Sequence, residues 1–180
     1  MTHPTLLGAI VAGGASSRFG SDKALALLDG RPLIAHARAA LETCTGAIVV
    51  CGRVWGDLPA LDDIPVPGLG PLGGIAAALT YAQANGFTQV LTIGCDMPLV
   101  PPALLADLIA TAPAYCRDAP ILGCWPAEAG AGLVARLAGH ETGVKNGALS
   151  IRRWAERIGA TAVAAPARLH NINTPADLPA

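Results

Sequence analysis

Leu6-Leu7-Gly8-Ala9-Ile10-Val11-Ala12-Gly13-Gly14-Ala15-Ser16-Ser17-Arg18-Phe19-Gly20-Ser21-Asp22-Lys23 is the stretch on which the fold turns. Leu6 to Val11 is a short apolar run without polar alternation, the pattern of a parallel strand buried on both faces. It stops on glycines. A loop leaving the carboxyl end of such a strand faces the ligand crevice of an open α/β sheet. Glycines let a backbone pass close to a phosphate and align N–H groups as an anion nest. Arg18 and Lys23 bring positive charge to the same loop. The spacing is neither the G-x-G-x-x-G of dinucleotide folds nor the GK[ST] ending of a P-loop.

Two further runs, Ala47 to Cys51 and Gln89 to Gly94, read as strands of the same buried kind. Helical patterns lie between them. Pro32 to Leu41 opens on a first-turn proline and places Leu33, Ala37, Ala40 and Leu41 on one side. Gly74 to Ala84 is alanine-rich, and Pro101 to Ala112 follows a Pro-Pro start. Leu149 to Ile158 reads as another helix, followed by a weak strand at Thr161 to Ala164. This alternation predicts an α/β fold: a mostly parallel sheet with helices on both faces. Pro113 to Gly143 is the least regular part. With no repeats, charge runs or low-complexity linkers, residues 1–180 read as a single domain.

Composition sets limits. Hydrophobic residues make up 52% and charged residues 14% of 180 residues, which excludes a disordered chain. A net charge of −1 gives no basic surface for nucleic acid. Mean hydropathy is +0.47, yet the weakly charged stretch from Val66 to Met97 is broken by glycines, prolines and polar residues and does not read as a membrane span. Thr5 to Ala12 resembles the apolar part of a signal peptide, but no Lys or Arg precedes it. The five cysteines include no C-x-x-C pair and read as small buried hydrophobes of a reducing compartment. A cytoplasmic protein is expected.

Three more motifs carry chemistry. In Ile93-Gly94-Cys95-Asp96-Met97-Pro98, a carboxylate leaves the carboxyl end of a strand and points into the crevice of the first loop. It suits magnesium arriving with substrate phosphates, or alternatively caps the next helix. Pro67-Gly68-Leu69-Gly70-Pro71-Leu72-Gly73-Gly74 is a rigid turn into a helix. It is either a tight connection or a backbone surface for a flat base, with Asp63 an acceptor for the two N–H donors of a guanine edge. His170-Asn171-Ile172-Asn173-Thr174-Pro175-Ala176-Asp177-Leu178 offers two amides that either meet a ligand or stitch a turn. Thr174, Pro175 and Asp177 read there as a helix start, with threonine as the cap.

Taken in order, these motifs resemble the molybdenum cofactor guanylyltransferases, within the wider nucleotidyltransferases. That pattern is LAGG, RMG, DK, GPLAG or GPLGG, CDMP and NxNTPxDL. It is met here by Val11 to Gly14, Arg18 to Gly20, Asp22-Lys23, Gly70 to Gly74, Cys95 to Pro98 and Asn171 to Leu178. The resemblance implies a three-layer Rossmann-like nucleotidyltransferase fold, with GTP and a molybdopterin-type cofactor as substrates. It implies release of pyrophosphate, dependence on magnesium, and apo-molybdoenzymes or their chaperones as recipients of the product. Val11, Ala12, Gly13 and Gly14 would contact the nucleotide, Arg18 and Lys23 its phosphates, and Gly70 and Asp63 the base. Asp96 would hold magnesium, and Asn173 would serve the pterin. Phe19 stands where methionine is usual, and Ala119-Pro120 where a His-Pro pair is frequent. Cys51-Gly52-Arg53 replaces a segment that often carries an asparagine beside the nucleotide, so that contact is not carried over.

Rival readings are a cytidylyltransferase of the same cofactor, a sugar-1-phosphate nucleotidylyltransferase, and a protein that binds nucleotide or cofactor without turnover. AGG, DK and the Gly70 to Gly74 turn favour GTP, because the cytidylyl relatives tend to carry AAG and QK. The short chain and the C-terminal NxNTP element disfavour the sugar enzymes. Mere binding needs no metal carboxylate, so Arg18, Lys23 and Asp96 together favour catalysis.

Overall fold

The computed structural model describes residues 3–13, 22–139, 149–172, 174 and 177. Three strands form its centre. β1 (His3–Val11) lies between β4 (Thr45–Cys51) and β6 (Gln89–Gly94), parallel to both. β5 (Ala60–Leu61) extends the sheet beyond β4. On the other side follow β8 (Gly123–Pro126), β7 (Ala114–Cys116) and β9 (Thr161–Val163), giving the order β5-β4-β1-β6-β8-β7-β9. Only β8 runs against the rest of this sheet. A small hairpin, β2 (Leu27–Leu28) with β3 (Arg31–Pro32), stands apart.

The lack of alternation in β1 has a direct cause: both of its faces are covered. Leu7, Ala9 and Val11 join one core with α2 (Pro71–Ala84), α4 (Ala129–Leu137) and α5 (Ile151–Arg157). Leu6 and Ile10 join the other, with α1 (Leu33–Glu42) and α3 (Pro102–Thr111). Helix α2 is buried continuously from Leu72 to Leu79 because it is wedged between the sheet and α4, so its small residues face protein nearly all round.

The expected elements are present with shifted edges. β1 begins at His3, ahead of the apolar run, because hydrogen bonding extends the strand past the point where burial ends; its register slips between His3 and Leu7. The irregular stretch after Pro113 holds β7, β8 and α4. Gly123 leaves room there for Trp125, whose ring lies 2.3 Å from where a Cβ on Gly123 would stand. Trp125 packs on Tyr115 and Trp154 at ring-centre distances of 6.4 and 4.7 Å. Its Nε1–H donates to buried Thr92 Oγ1 at 2.9 Å, which satisfies the indole.

Register positions the site. Val11 stands level with both Cys51 and Gly94, so β1, β4 and β6 end at one edge. The segments after them emerge side by side.

Candidate active site

Lys23 opens a short 3₁₀ turn, Lys23–Leu25, that Asp22 caps by accepting from the Ala24 N–H at 3.2 Å. This turn aims the Lys23 side chain at the end of β6, where Nζ lies 2.8 Å from Asp96 Oδ2. The pair is largely enclosed, with side-chain exposures of 15% and 23%. Asp96 does not cap α3: that helix begins after Pro101 with no side-chain cap. Gly94 leaves the space into which the carboxylate folds, since a Cβ there would stand 2.5 Å from Asp96 Oδ1.

The C-terminal segment closes against the same turn. His170 bridges Leu99, and the Ile172 N–H donates to the Asp96 carbonyl at 3.0 Å. With its amide oriented to donate, Asn171 reaches Asp96 Oδ2 at 2.9 Å and Asp96 O at 3.3 Å. Beside it opens a cavity of about 410 Å³ whose lining includes Pro71, Asp96, Asp118, Ser150, Arg152 and Asn171. Farther along, the Asp177 carboxylate accepts from Thr174 N–H and Oγ1–H at 2.7 and 3.0 Å.

Asp63 lies on the opposite side of β1. Gly13, Gly73 and Gly74 surround it, and Cβ atoms at these positions would stand 3.7, 3.0 and 3.4 Å from its nearest side-chain atom. Burial pushes its carboxyl above the usual carboxylate range, against a lowering contribution from the Gly68 N–H. Gly70 adopts φ 66° directly before α2, a left-handed conformation suited to glycine. Val11 is filled by the protein itself: its side chain is buried, and its carbonyl accepts from the Cys95 N–H at 3.3 Å. Beyond it Ala12 is half-buried and Gly13 exposed. Gly14, Arg18 and Asn173 lie outside the described residues.

Two features escaped the sequence reading. Asn171 belongs to the Asp96 cluster; the NxN spacing shows two amides, but not that this one meets the carboxylate. Arg53 forms a fork on Asp22, with Nη1 2.8 Å from Oδ1 and Nη2 bonded to Oδ2. That fork holds the Asp22 carboxyl below its ordinary value. Cys95 sits behind Asp96, its thiol pushed up to about 11 by burial and by the neighbouring carboxylate.

Among the described residues no group of three or more His, Cys, Asp or Glu side chains gathers as a metal cage. Asp96 and Asp118 both line the cavity, and a hard carboxylate of this kind is the donor type that suits magnesium already coordinated by phosphates. No helix among the described residues is long and apolar enough to cross a membrane.

A mostly parallel sheet with helices on both faces, and a lysine and an aspartate meeting at its carboxyl edge, define a Rossmann-like nucleotidyltransferase. Residues 8–157 match the MobA-like NTP transferase domain, and the chain belongs to that family. It is 35% identical to a molybdenum cofactor guanylyltransferase of Acidiphilium cryptum, over 97% of this chain and 93% of that protein. A "Probable molybdenum cofactor guanylyltransferase" of Deinococcus radiodurans is 46% identical, over 62% of this chain and 55% of that protein. The crystal structure of molybdopterin-guanine dinucleotide biosynthesis protein A from Archaeoglobus fulgidus shares the fold. Its TM-score is 0.71 at 22% identity, covering 95% of this chain and 94% of that one.

Proposed function

We propose that this chain, as one domain over residues 1–180, transfers GMP from GTP to the terminal phosphate of a molybdopterin-type cofactor and releases pyrophosphate. The observation that carries the reading is the Lys23–Asp96 pair at the shared strand edge, with the Asn171 amide and the 410 Å³ cavity beside it. The names of the relatives that match over nearly their whole length support the choice of substrates.

In this reading a phosphate oxygen of the acceptor attacks the α-phosphorus of GTP. A new P–O bond forms as the α–β bridge breaks, and its electron pair leaves with pyrophosphate. A phosphate is already a nucleophile at neutral pH, so the protein supplies position and charge and not a general base. Lys23, with Arg18 from the same loop, neutralises the phosphates. Asp96 would hold the magnesium, which when bound offsets charge on the phosphates of the transition state. Asp63, in its glycine cradle at the start of α2, accepts the guanine N1–H and exocyclic N–H₂. Gly70 shapes the turn beneath the base. The acceptor enters from the β6 side, where Asn171 lines the cavity and Asn173 follows it in sequence, and apo-molybdoenzymes or their chaperones take the product. Cytoplasmic placement rests on five cysteines that are all free thiols.

The test is pyrophosphate release by the purified chain with magnesium, the phosphorylated pterin acceptor, and GTP, CTP, ATP or UTP in turn. GTP is expected to be the preferred donor. Equal use of CTP would overturn the guanylyl assignment, and absence of release with every donor would overturn the transfer itself.

A further inference from the structure

Gly52 and Arg53 follow β4 and touch the two ends of the glycine-rich stretch that follows β1. At the first end, Gly52 adopts φ 85°, and a Cβ on it would stand 2.4 Å from the Gly13 Cα. The two backbones pass so closely that glycine is required on the β4 side. This contact turns the next residue across the strand edge. At the second end, the Arg53 guanidinium meets both carboxylate oxygens of Asp22. Its side chain is 22% exposed, and its positive charge reaches half-buried Cys95 beside Asp96. Asp22 is also the cap of the turn that aims Lys23 at Asp96.

We infer that Arg53 is a positioning residue for nucleotidyl transfer: its two-pronged hold on Asp22 sets the turn that carries Lys23. The inference rests on the proposed transfer function. A planar fork on a carboxylate restricts angle as well as distance, which a lysine at the same place could not do. Asp22 passes that restraint through its bond to the Ala24 N–H to the first turn after the loop. The consequence falls on the Lys23 ammonium, whose place relative to Asp96 decides where triphosphate charge is met. Without Arg53 the Asp22 carboxylate would also stand uncompensated beside the incoming phosphates, so both effects run through Asp22.

A double-mutant cycle with Arg53→Ala, Asp22→Ala and the double variant tests this on the whole chain. Arg53→Ala is expected to lower kcat/KM for GTP by roughly tenfold to a hundredfold, the scale of a misplacement near 1 Å. Its melting temperature should fall by no more than ~2 °C, because an ion pair this exposed contributes little to stability. In the Asp22→Ala background the same change is expected to cost less than about twofold, since the partner it acts through is gone. Hydrogen exchange of the Ala24 amide, followed without substrate, is expected to quicken in Arg53→Ala. Wild-type kcat/KM in Arg53→Ala would overturn the inference. So would an undiminished loss in the Asp22→Ala background, or unchanged Ala24 exchange. A wild-type protein inactive with every nucleotide would overturn the transfer reading instead, and the exchange measurement would then judge the clamp by itself.

Discussion

Replacing Lys23 with methionine removes one charge and keeps the apolar stem that carries it. The ammonium lies 2.8 Å from Asp96 Oδ2 with both side chains mostly enclosed. A pair of unit charges near a protein surface attracts by about 4 kcal/mol at 4 Å, and much of that is returned as lost hydration. Exposed pairs contribute about 0–1 kcal/mol, and breaking a fully buried one costs about 3–5. Exposures of 15% and 23% place this pair between those limits. The Asn171 amide still meets Asp96 in the variant. A loss of about 1–2 kcal/mol follows, or ~2–8 °C in Tm for a chain of this size. Turnover should suffer far more, by about a hundredfold to a thousandfold, as when one preorganised donor to transition-state charge is removed. The assay is pyrophosphate release at a temperature where calorimetry shows both proteins folded. Turnover of Lys23→Met within about threefold of wild type would refute the charge-stabilising role, since even a weak stabiliser contributes more than that.

Asp96→Asn preserves shape and is expected to abolish magnesium-dependent turnover with little change in circular dichroism; an unchanged magnesium requirement would remove Asp96 as the metal ligand. Burial raises the Asp63 carboxyl, so its charged form costs folding stability at neutral pH and that cost fades as pH falls through its folded value. Asp63→Asn should therefore raise Tm at pH 7 while erasing the preference for GTP over CTP, and a lower Tm would show that the carboxylate is stabilising. Arg53 depresses the Asp22 carboxyl, so its contribution is present at and above the ordinary value and is lost as pH falls below about 4. The Tm difference between wild type and Arg53→Ala should shrink over that range, and a difference constant with pH would count against the ion pair. Asn173→Ala is expected to weaken acceptor use by about 1–2 kcal/mol with calorimetric GTP affinity unchanged; loss of GTP binding alone would move Asn173 to the nucleotide side.

The class of this protein was legible in its residues because the physics behind it is local. A strand covered on both faces must be apolar at every position, so Leu6 to Val11 announces a parallel sheet with helices on two sides. Glycines and cations directly after such a strand announce an anion site. The same logic falters after Pro113, because β7 and β8 are too short for any period to show and Gly123 makes sense only beneath the Trp125 ring. Which side chains meet is a different question. Lys23 and Asp96 are 73 positions apart, and Asp22 and Arg53 are 31 apart. Their meeting depends on Val11, Cys51 and Gly94 ending level across three strands, with Gly52 able to pass Gly13. Asn171 reaches Asp96 only because the C-terminal segment lies along the Asp96 to Leu99 turn. Burial pattern is written residue by residue along the chain, whereas strand register is a property of three segments at once, and only the folded sheet decides it.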